Sequence, residues 1–443
     1  MKNLKLLFLV GLIIGINACK SGKKPEEYNP VVSNPDFLHS AFYKLTDVMI
    51  FDIFSPPVAS RIYSYANLAA YEAYVPGDKN YQSMVGQIKD LKEVPQPEAG
   101  KEYCYPLASL KSFMTVARGL TFSVDKYDQF EKDLYKKFED AGVPSDVIDR
   151  SMKYGEEVGK SIMAYAKTDK YPQTRGLRYT LQNKPGTWVP TPPAYADAVE
   201  PNWGKIRPIA LDSANQFMPP RPPAYDLNKT SPFMKEVMEV YNIGKNLSEE
   251  EQRVAWFWDD NAFVMNVVGH VMFANKKMTP GGHWLAITQT ICKNKKASFG
   301  QTVEAYMLVS FALRDAFIAC WDEKYRSHKI RPETVINANV DPKWTPYLQT
   351  PPFPEYTSGH STISGASAEV LTSLFGDNVA FTDSTEHRFG HGVGQFKSFR
   401  EAASQASVSR VYGGIHFRSA CDEGLKAGTK IGQLIIQKAK TKR

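Results

Sequence analysis

The sequence predicts an all-α protein, and three observations lead there. Apolar residues recur at helical spacing through 36–74, 105–120, 124–141 and 145–168, and no strict two-residue alternation appears in that half. Start signals precede later apolar runs, as in Ser248-Glu249-Glu250-Glu251, a capping box opening a helix through Trp256 and Trp258. Stop signals sit where such runs should end: Gly376, Gly413-Gly414 and Arg331-Pro332.

Taken in order, the chain begins with a leader. Lys2 and Lys5 form a positive region, Leu6 to Ile16 an apolar run, and Ile16-Asn17-Ala18-Cys19 a small-residue cleavage site. The run is short for a membrane span, and the following cysteine resembles a bacterial lipoprotein signal in which Cys19 is acylated. An ordinary secretory peptide cut elsewhere is the alternative. The expectation is a signal peptide over 1–18, a lipid-anchored polar linker over 19–36, and an exported protein held at a bacterial membrane, periplasmic or at the cell surface.

A helical region spans 37–244, with a break at Pro56-Pro57 and a loop over 171–225 that holds eleven of the 29 prolines. Such a loop in a compact protein is functional or disordered, and Trp188 and Trp203 argue that it packs. Pro280-Gly281-Gly282 marks a turn before a helix through Trp284. The longest helix runs from about Phe299 to His328. It contains the most apolar later stretch, 305–320, where Arg314 and Asp315 speak for burial in protein. Two helices close the chain, at about 398–412 and 422–440.

Composition narrows function. The formal charge is +7, or +5 without Lys2 and Lys5, too small and dispersed for a nucleic-acid partner. Cys104, Cys292, Cys320 and Cys421 lack metal-finger spacing, and the sequence does not give a pairing. His387 and His391 are flanked by glycines without a nearby third ligand, so a polar loop is expected there. His283 and His328 are read as structural.

The chemistry concentrates around Ser358-Gly359-His360, where the proline-rich run Pro351–Pro354 gives way to a helix-like stretch, 361–375. The free amides of a helix start suit an oxyanion, and a Ser-Gly pair adds a hydroxyl with no side chain in the way. Alone, Ser358 reads as a plain N-cap. Lys324 and Arg331 lie two helical turns apart, and Arg410 precedes His416 across Gly413-Gly414.

The order of these residues resembles the superfamily that joins type-2 phosphatidic acid phosphatases, bacterial acid phosphatases and vanadium haloperoxidases. Its motifs are similar to Lys324-Tyr-Arg-Ser-His-Lys-Ile-Arg331-Pro332, Ser358-Gly359-His360 and Ser409-Arg410-Val-Tyr-Gly-Gly-Ile-His416. The resemblance covers about 245–443 firmly and the amino half loosely. It implies a helical bundle with the anion site at helix ends. It also implies that Lys324, Arg331 and Arg410 bind the oxygens of phosphate or vanadate, helped by Ser358 and the Gly359 amide. His360 becomes the acid–base group, and His416 the nucleophile on phosphorus or the ligand of vanadium.

The aspartate expected four residues after His416 is replaced by Ala420, and Asp422 is the candidate to take its place. Trp321 and Phe353 resemble the halide-side aromatics of chloroperoxidase-type members, and Asp259 or Asp260 the acid that braces the last arginine, here Arg410. The expectation is a vanadate-dependent enzyme that oxidises halide with hydrogen peroxide. A cofactor-free acid phosphatase working through a phosphohistidine is the alternative. A non-catalytic lipoprotein binding phosphate or a partner is a third reading, supported by Ala420 alone.

Overall fold

The computed structural model describes residues 22–443, so the leader and Cys19 lie outside the described residues. In chain order the helices are α1 (Pro25–Val32), α2 (Asp36–Phe51), α3 (Pro56–Tyr74), α4 (Tyr105–Leu120), α5 (Asp128–Ala141), α6 (Ser145–Lys167) and α7 (Tyr171–Arg175). The second half adds α8 (Pro232–Lys245), α9 (Glu249–Phe257), α10 (Pro280–Asn294), α11 (Phe299–Ser327), α12 (Pro332–Asn339), α13 (Gly359–Phe375), α14 (Phe399–Tyr412) and α15 (Arg418–Lys438). The expected all-α class holds. The capping box at Ser248 forms, and a second one forms at Ser298 with Gln301.

Three local readings change. The stretch read as a tether carries α1, because Tyr28 and Val32 find apolar partners and are buried. The sequence reading also misses α8 and α12, both opened by proline. An antiparallel hairpin, β1 (Phe263–Val268) and β2 (Val271–Lys276), precedes α10, and Gly269 turns it at φ 58°. A smaller pair, β3 (Phe381–Asp383) and β4 (Gly394–Phe396), stands in the polar loop before α14.

Helix α11 is the central post, packing on α3, α10, α13 and α15. Among the described residues no helix is long and apolar enough to cross a membrane. Helix α15 lies unusually close to α13, because a Cβ on Gly428 would overlap the Thr362 carbonyl. That contact holds the start of α13 against the bundle. The four described cysteines are free and buried.

Of the expected loop over 171–225, the first five residues form α7; residues 176–225 wrap over the surface with little regular structure, and α11 anchors them. Asp315 accepts the backbone N–H groups of Ile209, Ala210 and Leu211 at 2.7–2.9 Å. Next to it Arg314 donates to the Arg207 carbonyl and to Asp169, which also accepts from Arg61 and Tyr65. Burial alone would raise the Asp169 carboxyl, but Arg314 and Arg61 outweigh it and hold it below its ordinary value.

Removing that carboxylate leaves two guanidinium groups buried without their counter-ion. Asp169→Ala is expected to cost about 3–5 kcal/mol in denaturant unfolding. Because the folded value is depressed, the wild-type contribution is complete above the unfolded carboxyl range and fades as pH falls through the folded value. Equal acid sensitivity of wild type and variant would contradict this.

Candidate active site

The three motifs meet at helix ends around one cavity of about 300 Å³, lined by Gly359, His360, Arg410 and His416 with Trp321 and Phe353. The start of α13 supplies Ser358, whose Oγ accepts the Ser361 N–H as an N-cap. That bond leaves the hydroxyl proton to donate. Irregular, bent backbone over 351–357 arrives beside the last turn of α11, where Lys324 donates to the carbonyls of Pro354, Glu355 and Thr357. Lys324 therefore ties down the segment that carries Ser358, and its charge stays under the site.

Arg331 caps α12 and reaches across. Its Nε donates to the Phe353 carbonyl and its Nη1 to the Ile415 carbonyl, at 2.9 and 2.8 Å. Nη1 also lies 3.1 Å from His416 Nε2, while Nη2 is buried with no partner. Arg410, at the end of α14, donates to Ser409 Oγ and the Ala255 carbonyl.

His416 follows the turn between α14 and α15. Its Nδ1 lies 2.8 Å from Glu355 Oε1, which also accepts the Phe417 N–H at 2.9 Å. With arginine donating to Nε2, the ring proton belongs on Nδ1, and the one lone pair of Nε2 accepts from Arg331 until a ligand takes its place. Burial, then Arg331, Lys324 and Arg410, hold His416 well below the usual imidazole range, so it is neutral.

Charge is out of balance. Lys324, Arg331 and Arg410 are at most 1% exposed; Glu355 is the carboxylate beside the first two, and Asp259 and Asp260 act on Arg410 while bound to Lys277 and His283. Burial, reinforced by Arg331, lowers Lys324 to about 8, and burial lowers Arg331 to about 10. Burial raises Glu355 to about 7. Uncompensated buried cations favour an anion as a partner.

Trp321 and Phe353 pack with ring centroids 4.9 Å apart, and the wrapped loop braces them because Trp321 Nε1 donates to the Val199 carbonyl. His360 Nε2 stands 3.6 Å from Asp260 Oδ2.

Two expectations are corrected. Asp422 does not orient His416: it is exposed on α15, while Glu355 makes that contact. Two residues from Ala420 is about 200° around a helix, which turns Asp422 to solvent when Ala420 is fully buried. Asp259 and Asp260 do not pair with Arg410. Asp259 binds Lys277, and Asp260 binds His283 and faces His360. His283, read as structural, is thus one residue away from the site. Glu355 had a signal in the sequence, as an acid three residues before Ser358.

Comparison with known proteins shows the fold and the family. The family model described as VCPO second helical-bundle domain matches residues 304–443. No curated protein matches the chain. A crystal structure described as the first bacterial vanadium-dependent iodoperoxidase is similar at 44% identity and TM-score 0.86, covering 93% of this chain and 97% of that one. Holo-type and apo-type bacterial vanadium-dependent chloroperoxidases share the fold at 17% identity, with TM-scores of 0.66 and 0.67. Each covers 87% of this chain, and 93% and 94% of theirs. On the extent and identity of the first of these matches, the chain belongs to the vanadium-dependent haloperoxidase family.

Proposed function

We propose that the protein binds vanadate at this site and oxidises a halide with hydrogen peroxide, iodide being the first halide to test because the 44%-identical relative is described as an iodoperoxidase. The observation that carries the reading is the Glu355–His416–Arg331 line. It gives a neutral histidine with a lone pair on Nε2, beside a buried guanidinium nitrogen lacking a partner.

The residues fit vanadate. Arg331 Nη2 and Arg410 offer charged donors, the Gly359 end of α13 offers backbone amides, and His416 Nε2 offers a nitrogen ligand. When bound, vanadate supplies the activation of peroxide toward two-electron oxidation of halide. Lys324 holds residues 354–357 in register and adds positive charge beneath the anion. His360, whose Nε2 is turned to Asp260, lines the cavity and carries the proton traffic there. Trp321 and Phe353 exclude water from one wall and present polarisable faces to a soft halide.

Vanadate-free protein should be inactive toward iodide and peroxide, and activity should rise in proportion to bound vanadium. His416→Ala should abolish it. Arg331→Ala should weaken vanadate binding by about 1.5–3 kcal/mol, a charge-assisted contact. Hydrolysis of a phosphate monoester that vanadate blocks, with no halide oxidised, would establish the phosphatase instead. Absence of both activities and of vanadate binding would leave a non-catalytic protein.

The orienting role of Glu355 is separable. Glu355→Gln keeps an acceptor for His416 Nδ1 but loses the charge that supports it. Turnover at saturating vanadate should fall about 10- to 100-fold. Asp422→Asn should change turnover by less than twofold, and equal losses in both variants would overturn the assignment.

The leader and Cys19 support export and lipid anchoring. Full-length protein should fractionate with membranes and Cys19→Ala should be released. Identical fractionation would remove the anchor.

A further inference from the structure

His283 sits in the first turn of α10, fully buried, its ring stacked on Trp258 with centroids 4.8 Å apart. Nδ1 lies 2.8 Å from Asp260 Oδ1, and Nε2 lies 2.8 Å from Asp383 Oδ2. Both carboxylates are buried, and the second oxygen of Asp383 accepts the Thr385 N–H. Two carboxylate acceptors on one ring call for a proton on each nitrogen, which makes His283 an imidazolium. The other oxygen of Asp260 lies 3.6 Å from His360 Nε2, a charge contact longer than a hydrogen bond, so that Asp383, His283, Asp260 and His360 follow one another to the cavity.

We infer that His283 is a positioning residue for the acid–base histidine: its fixed positive charge keeps Asp260 ionised and aimed at His360. This rests on the role given to His360 above. Burial alone would raise the Asp260 carboxyl, and His283 outweighs it. Burial would likewise discharge His283, and the two carboxylates hold it charged.

Around His360, burial and then Arg410 of α14 lower its proton affinity, whereas Asp260 and Asp259 raise it, with His416 close by. Around His283 stand Asp260, Asp383, Glu386 and Tyr43 of α2, with Lys277 beyond Glu386. Take away the imidazolium, and Asp260 becomes a buried carboxylate without its cation and takes up a proton. His360 then faces Arg410 without an opposing charge.

A bound metal is the competing explanation. Asp260, His283 and Glu386 bring ligand atoms within 4.8 Å of one another, and both oxygens of buried Glu386 lack partners. A carboxylate behind the far nitrogen, as Asp383 is, also backs many metal-bound histidines. Two features favour the proton. The 2.8 Å separation at Nδ1 is that of a direct hydrogen bond, and Glu386, pushed up to about 8 by burial and Asp260, is neutral near pH 7.

The test uses His283→Gln and Asp383→Asn, with an unfolding midpoint recorded for each. In vanadate-free protein, proton NMR should show two protected, far-downfield ring N–H signals that persist from about pH 5 to 9 and vanish in His283→Gln. The titration of His360, read from its ring carbon-bound protons, should move about one unit lower in His283→Gln and less in Asp383→Asn. The limb of the halide-oxidation pH profile that belongs to His360 should move with it.

An unmoved His360 titration in a folded variant overturns the inference. So does one equivalent of divalent metal in purified wild type without the two N–H signals. If His283→Gln does not fold, an unmoved titration in Asp383→Asn is decisive. The NMR readings need no turnover, so a protein inactive toward halide would fail the functional reading and leave this coupling measurable.

Discussion

The structure depends on a concentration of positive charge that its own residues leave uncompensated. Lys324, Arg331 and Arg410 are all buried; Glu355 is the carboxylate beside Lys324 and Arg331, while Asp259 and Asp260, which act on Arg410, are already engaged by Lys277 and His283. Desolvating a cation costs several kcal/mol unless partners repay it. Lys324 and Arg331 recover part of that through backbone carbonyls, and both are nonetheless driven below their ordinary proton affinities. An oxyanion removes the remaining deficit. It binds the folded state alone, so binding must also stabilise the fold.

The scaffold serves that one place. Helix α11 delivers Trp321 and Lys324 from its last turns while Arg314 and Asp315, farther back, fasten the proline-rich loop. The loop returns to brace Trp321 through the Val199 carbonyl, so loop and site share a single post. The glycine contact between α15 and α13 brings Ala420 to Ser358, whose N–H donates to the Ala420 carbonyl. Position 420 is thus enclosed by backbone, with Glu355 supplying from the other side of His416 what an aspartate there would supply.

Much of this was legible in the residues. Helix caps and stops located most helices, and three spaced motifs located the cations, Ser358, His360 and His416. What escaped has physical causes. Glu355 and His416 are 61 residues apart, and His283 and Asp383 are 100 apart, so no local pattern links either pair. Asp422 was close in sequence but on the wrong side of its helix. The hairpin at 263–276 lies between two well-marked helices, and its turn rests on Gly269 alone. Helices α1 and α12 are eight residues each, and burial of a few side chains decides them more than propensity does; α8 is longer, and its start signal, Ser231 capping before Pro232, follows directly on the proline-rich loop.

The central claim is that His416 Nε2, oriented by Glu355 and flanked by Arg331, is the atom that receives the bound oxyanion's central element. Crystals equilibrated with orthovanadate and examined by anomalous scattering from vanadium test it most directly. The account predicts one vanadium per chain, bonded to His416 Nε2, with Arg331 Nη2 engaged by its oxygens. Vanadium held away from His416, or no ordered vanadium under conditions that support halide oxidation, would contradict it.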